Sequence, residues 1–182
     1  MHLKNIAIYC GATMPPAKVF QDAAVQMGTL IAKAGIGLVF GGSACGTMKL
    51  VAGAALANGG RVTGVFPDDL PRDMLMSGLT SVVFTHTLAE RKARMIAESD
   101  ALIALPGSYG TWDELFDALG LKKLPDSKMK QPIAVLNTDG YYDHLLAFIE
   151  HSFQVGFTGE EHRRLLLSAN TPEALLEKIL NS

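Results

Sequence analysis

Short apolar runs recur along this 182-residue chain and have the length expected of buried β-strands. They show little alternation of apolar and polar positions, which is typical of parallel strands covered by helices on both faces. The pattern predicts five clear strands and a weaker sixth at residues 81–85. The five clear runs are residues 6–10, 37–40, 62–66, 101–105 and 133–136.

Amphipathic helices are predicted between these runs. From residue 16 to residue 34, apolar residues recur every three or four positions, and Gly35 can adopt the left-handed conformation that ends a helix. Thr87 and Glu90 have the spacing of a capping box, which predicts a helix start at this point. The other predicted helices cover residues 47–58, 88–99, 142–156 and 171–180, and one more begins at Thr111.

Predicted strands and helices alternate along the whole chain. This alternation predicts an α/β fold: a doubly wound, Rossmann-like, mostly parallel sheet of about six or seven strands with helices on both faces. The one linker-like stretch, residues 122–131, is too short to separate two domains. We therefore expect residues 1–182 to form a single nucleotide-binding domain.

Charge and composition exclude several classes of partner. Sixteen Lys and Arg residues against 18 Asp and Glu give a net charge of −2, which offers no basic field for nucleic acid or an anionic membrane surface. No apolar run reaches the ~18 residues of a membrane helix, and the first ten residues lack the apolar core of a signal peptide. The two cysteines, Cys10 and Cys45, stand beside glycines in apolar surroundings, which is more typical of a reducing cytoplasm than of a secreted disulfide scaffold. We therefore expect free thiols and a cytoplasmic protein.

Three turns rich in small residues follow predicted strands, at residues 10–13, 41–47 and 106–111. In doubly wound sheets, ligands bind at the carboxyl ends of the strands, where helix N-termini direct free N–H groups at anions. None of the turns has the G-x-G-x-x-G or Walker pattern, so neither a dinucleotide oxidoreductase nor a P-loop NTPase is indicated. Any one turn could use its glycines only for tight backbone geometry, but three at one sheet edge favour a nucleotide site.

Two charged groups could carry chemistry, and each also has a purely structural explanation. Thr111 and Glu114 have capping-box spacing, so Glu114 is either a helix cap or a catalytic carboxylate. Arg91 and Lys92 either lie on a solvated helix face or act on a ligand, because a basic residue early in a helix opposes the helix dipole. The residue pattern alone leaves both alternatives open.

Neither a metal site nor a serine nucleophile is indicated. The histidines form no H-x-x-x-H set, the cysteines form no Cys-x-x-Cys pair, and Gly-x-Ser-x-Gly does not occur. We therefore expect no metal. The histidines are His2, His86, His144, His151 and His162.

Three ordered motifs identify a family. They are Gly-Gly-Ser at residues 41–43 with Gly46 and Met48, Glu-Arg-Lys at 90–92, and Pro-Gly-Ser-Tyr-Gly-Thr-Trp-Asp-Glu at 106–114. Together they closely resemble the signatures of the Lonely Guy (LOG) family of cytokinin riboside 5′-monophosphate phosphoribohydrolases, often labelled lysine decarboxylase-like. The resemblance covers nearly the whole chain. It implies hydrolysis of the N-glycosidic bond of AMP or N6-substituted AMP to free base and ribose 5-phosphate, without a cofactor.

The resemblance also implies the residues of the site. The family's catalytic arginine and glutamate correspond to Arg91 and Glu114, and the substrate phosphate would lie on the turn at residues 107–111, with Thr111 offering a hydroxyl. A homodimer is expected from the resemblance and from the 8 Met and 8 Phe residues. The predicted substrate- and phosphate-binding residues are Gly11, Gly42, Ser43, Gly46, Lys92, Gly107, Ser108, Tyr109, Gly110, Thr111 and Asp113.

The sequence departs from the family pattern at four places. Ser108 replaces the usual second glycine, Asp113 replaces the usual first glutamate, and residues 88–89 replace the usual Met-His. Residues 118–131 lack the usual tryptophan-containing helix. At Ser108 we expect a negative φ, which would leave the hydroxyl free to bind phosphate.

Two functions other than hydrolysis are possible for such a fold. A nucleotide-binding module without turnover is the alternative that the altered glycine and glutamate positions allow. A pyridoxal-phosphate decarboxylase is not indicated, because no glycine-flanked lysine suggests a Schiff-base residue.

Overall fold

The computed structural model describes residues 3–182, and the strands in this range form one seven-stranded sheet. Every strand pair is parallel, so the predicted doubly wound α/β fold is confirmed. The strands are β1 (Asn5–Tyr9), β2 (Gly37–Phe40), β3 (Val62–Pro67), β4 (Ser81–Thr85), β5 (Ala101–Ala104), β6 (Ile133–Leu136) and β7 (Leu166–Ala169).

Six α-helices within the described residues cover the two faces of the sheet. The helices are α1 (Lys18–Lys33), α2 (Gly46–Ala57), α3 (Leu88–Ala97), α4 (Tyr109–Lys123), α5 (Asp143–Gln154) and α6 (Pro172–Leu180). Side chains of β1 alternate between two apolar cores: Ile6 and Ile8 pack with α1, α2 and α6, whereas Ala7 and Tyr9 pack with α3, α4 and α5. Both faces are buried, which explains why the strand sequences do not alternate.

The strand order is β4-β3-β2-β1-β5-β6-β7. The chain moves outward from β1 to β4 and then returns to the other side of β1 to form β5. The strand order therefore reverses between β1 and β5, and a crevice opens there at the carboxyl ends of the strands. The turns after these two strands are two of the three small-residue turns that the sequence singled out.

Most helix boundaries follow the local signals in the sequence. The hydroxyl of Thr87 accepts a hydrogen bond from Glu90 N at 3.1 Å, as a capping box requires. The Glu90 carboxylate accepts from His86 N instead of from the Thr87 backbone. Gly35 follows α1 with φ +71°, a conformation that glycine adopts without strain.

The sequence interpretation was wrong about where α4 begins. This helix starts at Tyr109 with Ser108 as its N-cap, so Thr111 lies inside the helix and does not form a capping box with Glu114. Trp112 N donates to Ser108 O at 3.0 Å, which sets the first turn two residues before the predicted box.

Strand β7 is an addition that the apolar runs did not predict. In the range 3–182, no helix has the length and apolar character needed to cross a membrane.

Candidate active site

A cavity of about 210 Å³ opens at the crevice between β1 and β5. Its walls come from the turn after β1, the first turns of α2 and α3, and the N-terminal half of α4. This is the place where ligands bind in doubly wound sheets. The lining residues are Cys10, Gly11, Ala12, Met48, Leu88, Arg91, Lys92, Ser108, Gly110, Thr111, Asp113 and Glu114.

A covered ion pair forms one wall of the cavity. Arg91 Nη2 donates to Glu114 Oε1 at 2.7 Å, and the two side chains are only 18% and 8% exposed. Glu114 therefore does not cap its helix, and Arg91 does not lie on a solvated face. An added Cβ at Gly41, just after β2, would lie 2.5 Å from Arg91 Nη2, so any side chain at this position would force the guanidinium to shift.

Burial changes the proton affinity of Glu114. The pKa of this carboxyl rises from the ordinary 4.5 to about 7, chiefly because burial penalises the charged form and also because the charge of Asp113 is close by. The charge and hydrogen bond of Arg91 oppose that rise. Near neutral pH the group therefore exists in both charge states, a property typical of catalytic carboxyls.

The N-terminal turn of α4 supplies the anion-binding side of the cavity. The first N–H groups of an α-helix have no intrahelical acceptor, and they attract anions together with the helix dipole. Ser108, at the N-cap, has φ −117°, so the predicted negative φ is confirmed. Within the described residues its hydroxyl makes no capping hydrogen bond.

The turn before α4 is shaped by a close contact between Gly107 and Thr111. A Cβ at Gly107 would lie 2.2 Å from Thr111 Oγ1, so this position must be glycine. The Thr111 hydroxyl is buried and has no hydrogen-bond partner among residues 3–182. On the other side of the turn, the hydroxyl of Tyr141 donates to Gly107 O, which fixes the turn from outside the cavity.

Gly11 is held by the start of α2. Its N–H donates to Thr47 Oγ1 at 2.9 Å, and its carbonyl accepts from Thr47 N at 3.0 Å. Gly46 has φ +53°, and a Cβ there would lie 2.4 Å from the Ala12 carbonyl carbon. The second small-residue turn therefore acts as a support for the first, which borders the cavity.

The structure brings most of the predicted site residues together. Those lining the cavity are Gly11, Arg91, Lys92, Ser108, Gly110, Thr111, Asp113 and Glu114, whereas Gly42, Ser43, Gly46, Gly107 and Tyr109 do not line it. Gly42 has φ +82° and packs against Phe66, and Ser43 forms an isolated β-bridge with Leu75. Tyr109 is 82% exposed and its ring packs edge to face on Trp112.

The predicted binding residues do not include the apolar wall of the cavity, which consists of Cys10, Ala12, Met48 and Leu88, although the turn at residues 10–13 was expected to face a ligand. The position of Cys10 and Ala12 at the end of β1 was the available signal, because strand ends border the crevice. Burial raises the pKa of the Cys10 thiol far above neutrality, so this side chain acts as a small apolar group. Both cysteines are free thiols, as predicted.

Among the described residues, no group of three or more His, Cys, Asp or Glu side chains could hold a metal ion. His2 lies outside the described residues.

The fold and the covered Arg–Glu pair in its crevice define a class: a doubly wound α/β protein with a titratable carboxyl at the switch point of its sheet. Residues 48–179 match the family model described as "Possible lysine decarboxylase". A probable cytokinin riboside 5′-monophosphate phosphoribohydrolase of Oryza sativa subsp. japonica is 40% identical over 97% of this chain and 71% of its own length. An enzyme of that name without the qualifier, from Arabidopsis thaliana, is 36% identical over 94% of this chain and 81% of its own length. The chain belongs to this LOG family.

Solved structures support the fold assignment. A molybdenum cofactor binding protein from the phototrophic bacterium Rippkaea orientalis superposes with a TM-score of 0.74 over 100% of this chain and 98% of its own, at 23% identity. The molybdenum cofactor carrier protein of Chlamydomonas reinhardtii gives 0.73 over 100% of both chains, at 20% identity. At these identities the likeness establishes the fold alone.

Proposed function

We propose that this protein hydrolyses the N-glycosidic bond of AMP or an N6-substituted AMP, releasing the free base and ribose 5-phosphate. The observation that supports this proposal most strongly is the covered Arg91–Glu114 pair, which lies beside the N-terminus of α4 in the cavity between β1 and β5. The names of the LOG relatives support the substrate class. We take the whole chain to act as one nucleotide-binding domain.

The carboxylate of Glu114 suits the chemistry of this cleavage. As the bond from C1′ to the base breaks, positive charge develops on the ribose, and a carboxylate near C1′ stabilises that charge. The oxygen of a water molecule then bonds to C1′, and a proton of this water passes to Glu114 as the general base. The departing nucleobase takes up a proton. Arg91 holds the Glu114 carboxylate in place through the 2.7 Å hydrogen bond.

The substrate phosphate fits the N-terminal turn of α4. The N–H groups from Tyr109 to Thr111 lie in the first helical turn and lack intrahelical acceptors. The Ser108 hydroxyl is free to donate to a phosphate oxygen. In this arrangement Gly107 supplies the close turn, and the apolar side chains of Met48 and Leu88 are left to contact the base.

A pyridoxal phosphate group does not fit these residues. Decarboxylation with this cofactor requires an uncommitted lysine that can form a Schiff base. Within the described part of the chain, Lys92 is the lysine that lines the cavity, and its Nζ is held at 3.0 Å from Asp113 Oδ1. We therefore derive no step of the reaction from the family description as a possible lysine decarboxylase.

We expect base release from AMP and little or none from adenosine. The remote phosphate provides binding energy that can orient and strain the ribose in the transition state. The measurement is free adenine by chromatography after incubation with AMP, adenosine and a panel of other nucleoside 5′-monophosphates. Equal rates on AMP and adenosine would overturn the phosphate site. Binding of AMP by calorimetry without any base release would instead favour a nucleotide-binding module.

Replacing Ser108 tests the phosphate site directly. Ser108→Gly should weaken AMP binding by about 1.5 to 3 kcal/mol, the range for a hydrogen bond to a charged group. Ser108→Ala should give a similar loss, because it removes the hydroxyl and keeps the Cβ. The KM for AMP and the melting temperature report the two effects separately. An unchanged KM in both variants would show that the hydroxyl does not contact phosphate.

We also propose a cytoplasmic homodimer. Large apolar side chains are exposed on α4, on α5 and just after α5, including Phe116, Phe148 and Phe157, the last of which is 86% exposed. Such surface is typical of a contact between subunits. Two free thiols suit a reducing compartment. Light scattering at micromolar concentration should give a mass of about twice 19.5 kDa, and a mass near 19.5 kDa would contradict the dimer.

A further inference from the structure

A second ion pair stands beside the Arg91–Glu114 pair. Lys92 Nζ lies 3.0 Å from Asp113 Oδ1 and 3.6 Å from Asp117 Oδ1. Arg91 and Lys92 are consecutive on α3, and Asp113 and Glu114 are consecutive on α4. The two helices are therefore joined at the cavity by two adjacent ion pairs.

The side chain of Lys92 pairs with carboxylates of α4 and does not extend into solvent. Its side chain is 18% exposed, compared with 83% for Lys18 in the surface pair Lys18–Asp22. Desolvation acts to lower the pKa of Lys92, but the hydrogen bond to Asp113 and the charge of Asp117 outweigh it and raise the pKa overall. Lys92 is therefore a cation at neutral pH whose Nζ is already shared between two carboxylates.

Titratable groups on three elements surround Glu114. Arg91 and Lys92 approach from α3, and Asp113 stands next to Glu114 on α4, with Asp117 one turn further along. From β1 come Tyr9 and Cys10, and burial raises the pKa of both far above neutrality, so neither adds a charge. The charge on Glu114 thus depends on the balance between its cationic and anionic neighbours.

We infer that Lys92 and Asp113 are positioning residues for the cleavage reaction: their ion pair joins α3 to α4 at the Arg91–Glu114 pair and places one positive and one negative charge beside the Glu114 carboxyl. This inference rests on the proposed function. It replaces the predicted role of Lys92 and Asp113 as direct substrate contacts. Lys92 favours the charged form of Glu114, whereas Asp113 opposes it.

The pH dependence of kcat for AMP distinguishes this role from a merely structural one. Because the carboxylate is the active form, kcat should rise with pH through the pKa of Glu114, near 7. Asp113→Asn should move this acid limb to lower pH by about 0.5 to 1 unit, and Lys92→Met should move it to higher pH by a similar amount. Lys92→Met should then lose about three- to tenfold in kcat at pH 6 and recover at pH 9.

Opposite shifts cannot arise from simple loosening of the two helices. The matched controls are Lys18→Met and Asp22→Asn, which break an exposed ion pair on α1 and should leave the profile unchanged. A uniform loss of kcat at all pH values in both site variants would overturn the inference. A tenfold rise in KM for Lys92→Met would also overturn it, since that result indicates direct phosphate contact.

A measurement without turnover separates this inference from the proposed function. The carboxyl carbon of Glu114 can be titrated by ¹³C NMR in uniformly labelled protein, with Glu114→Gln used for assignment. The same opposite shifts in the Lys92→Met and Asp113→Asn variants are expected. If the wild-type protein releases no base from AMP but the shifts are seen, the proposed function fails and the charge balance around Glu114 stands. Equal titration in all variants overturns the inference.

Discussion

Glu114→Gln is expected to lower kcat by ~100-fold or more while AMP still binds. The glutamine keeps the shape of the side chain and can still accept the hydrogen bond from Arg91. It carries no negative charge, so it cannot stabilise the positive charge that develops on the ribose, and it cannot take a proton from water. The measurement is kcat and KM for AMP at pH 7 to 9, with binding followed by calorimetry.

Glu98→Gln is the matched control for this variant. Glu98 pairs with Arg94 at 2.8 Å, but that pair is exposed and lies outside the cavity. Surface pairs of this kind contribute little, so the control should retain wild-type activity and stability. If Glu114→Gln kept full activity as well, Glu114 would be a purely structural partner of Arg91.

The sheet was accessible from the sequence because its strands are buried on both faces. Such strands are continuous apolar runs, and residues 37–40 and 133–136 are fully buried in the structure. Strand β7 escaped this pattern because it contains Ser168 and is only half-buried at the sheet edge. Edge strands need less apolar surface, so composition alone marks them weakly.

The start of α4 was misjudged because two signals compete within a few residues. Thr111 and Glu114 have the spacing of a capping box, yet Ser108 precedes them and takes the N-cap position. Pro106 and Gly107 already break the strand, which leaves Ser108 as the first residue able to begin the helix. The true partner of Glu114 lies 23 residues away on α3, and no local pattern can reveal such a contact.

The same limit applies to Lys92. A lysine two positions after a capping glutamate is typical of a solvated face, and a mild effect of Lys92→Ala would follow from that position. The structure instead packs α3 against the same sheet face as α4, which brings Lys92 to Asp113. The residue types at the cavity were thus predictable from motifs, whereas the pairing among them depends on how two helices meet.

Arg91→Ala is expected to be nearly inactive, with a loss in kcat of ~100-fold or more. Without the guanidinium, Glu114 would be left buried and unpaired, and its carboxyl would hold its proton at neutral pH. The carboxylate would also lose the 2.7 Å hydrogen bond that fixes its position. Activity on AMP is measured at pH 7 and pH 9, because raising the pH should restore the charge on Glu114 but not its position.

Arg91→Lys separates charge from geometry and guards against a variant that fails to fold. Lysine keeps the positive charge but lacks the planar guanidinium, so activity should be partly retained and the acid limb of kcat should stay near its wild-type pH. Arg94→Ala, which breaks the exposed pair with Glu98 on the same helix, should remain active and serves as the control. A folded Arg91→Ala protein with wild-type kcat would show that Glu114 needs no partner. In that case the covered ion pair would be a feature of packing alone.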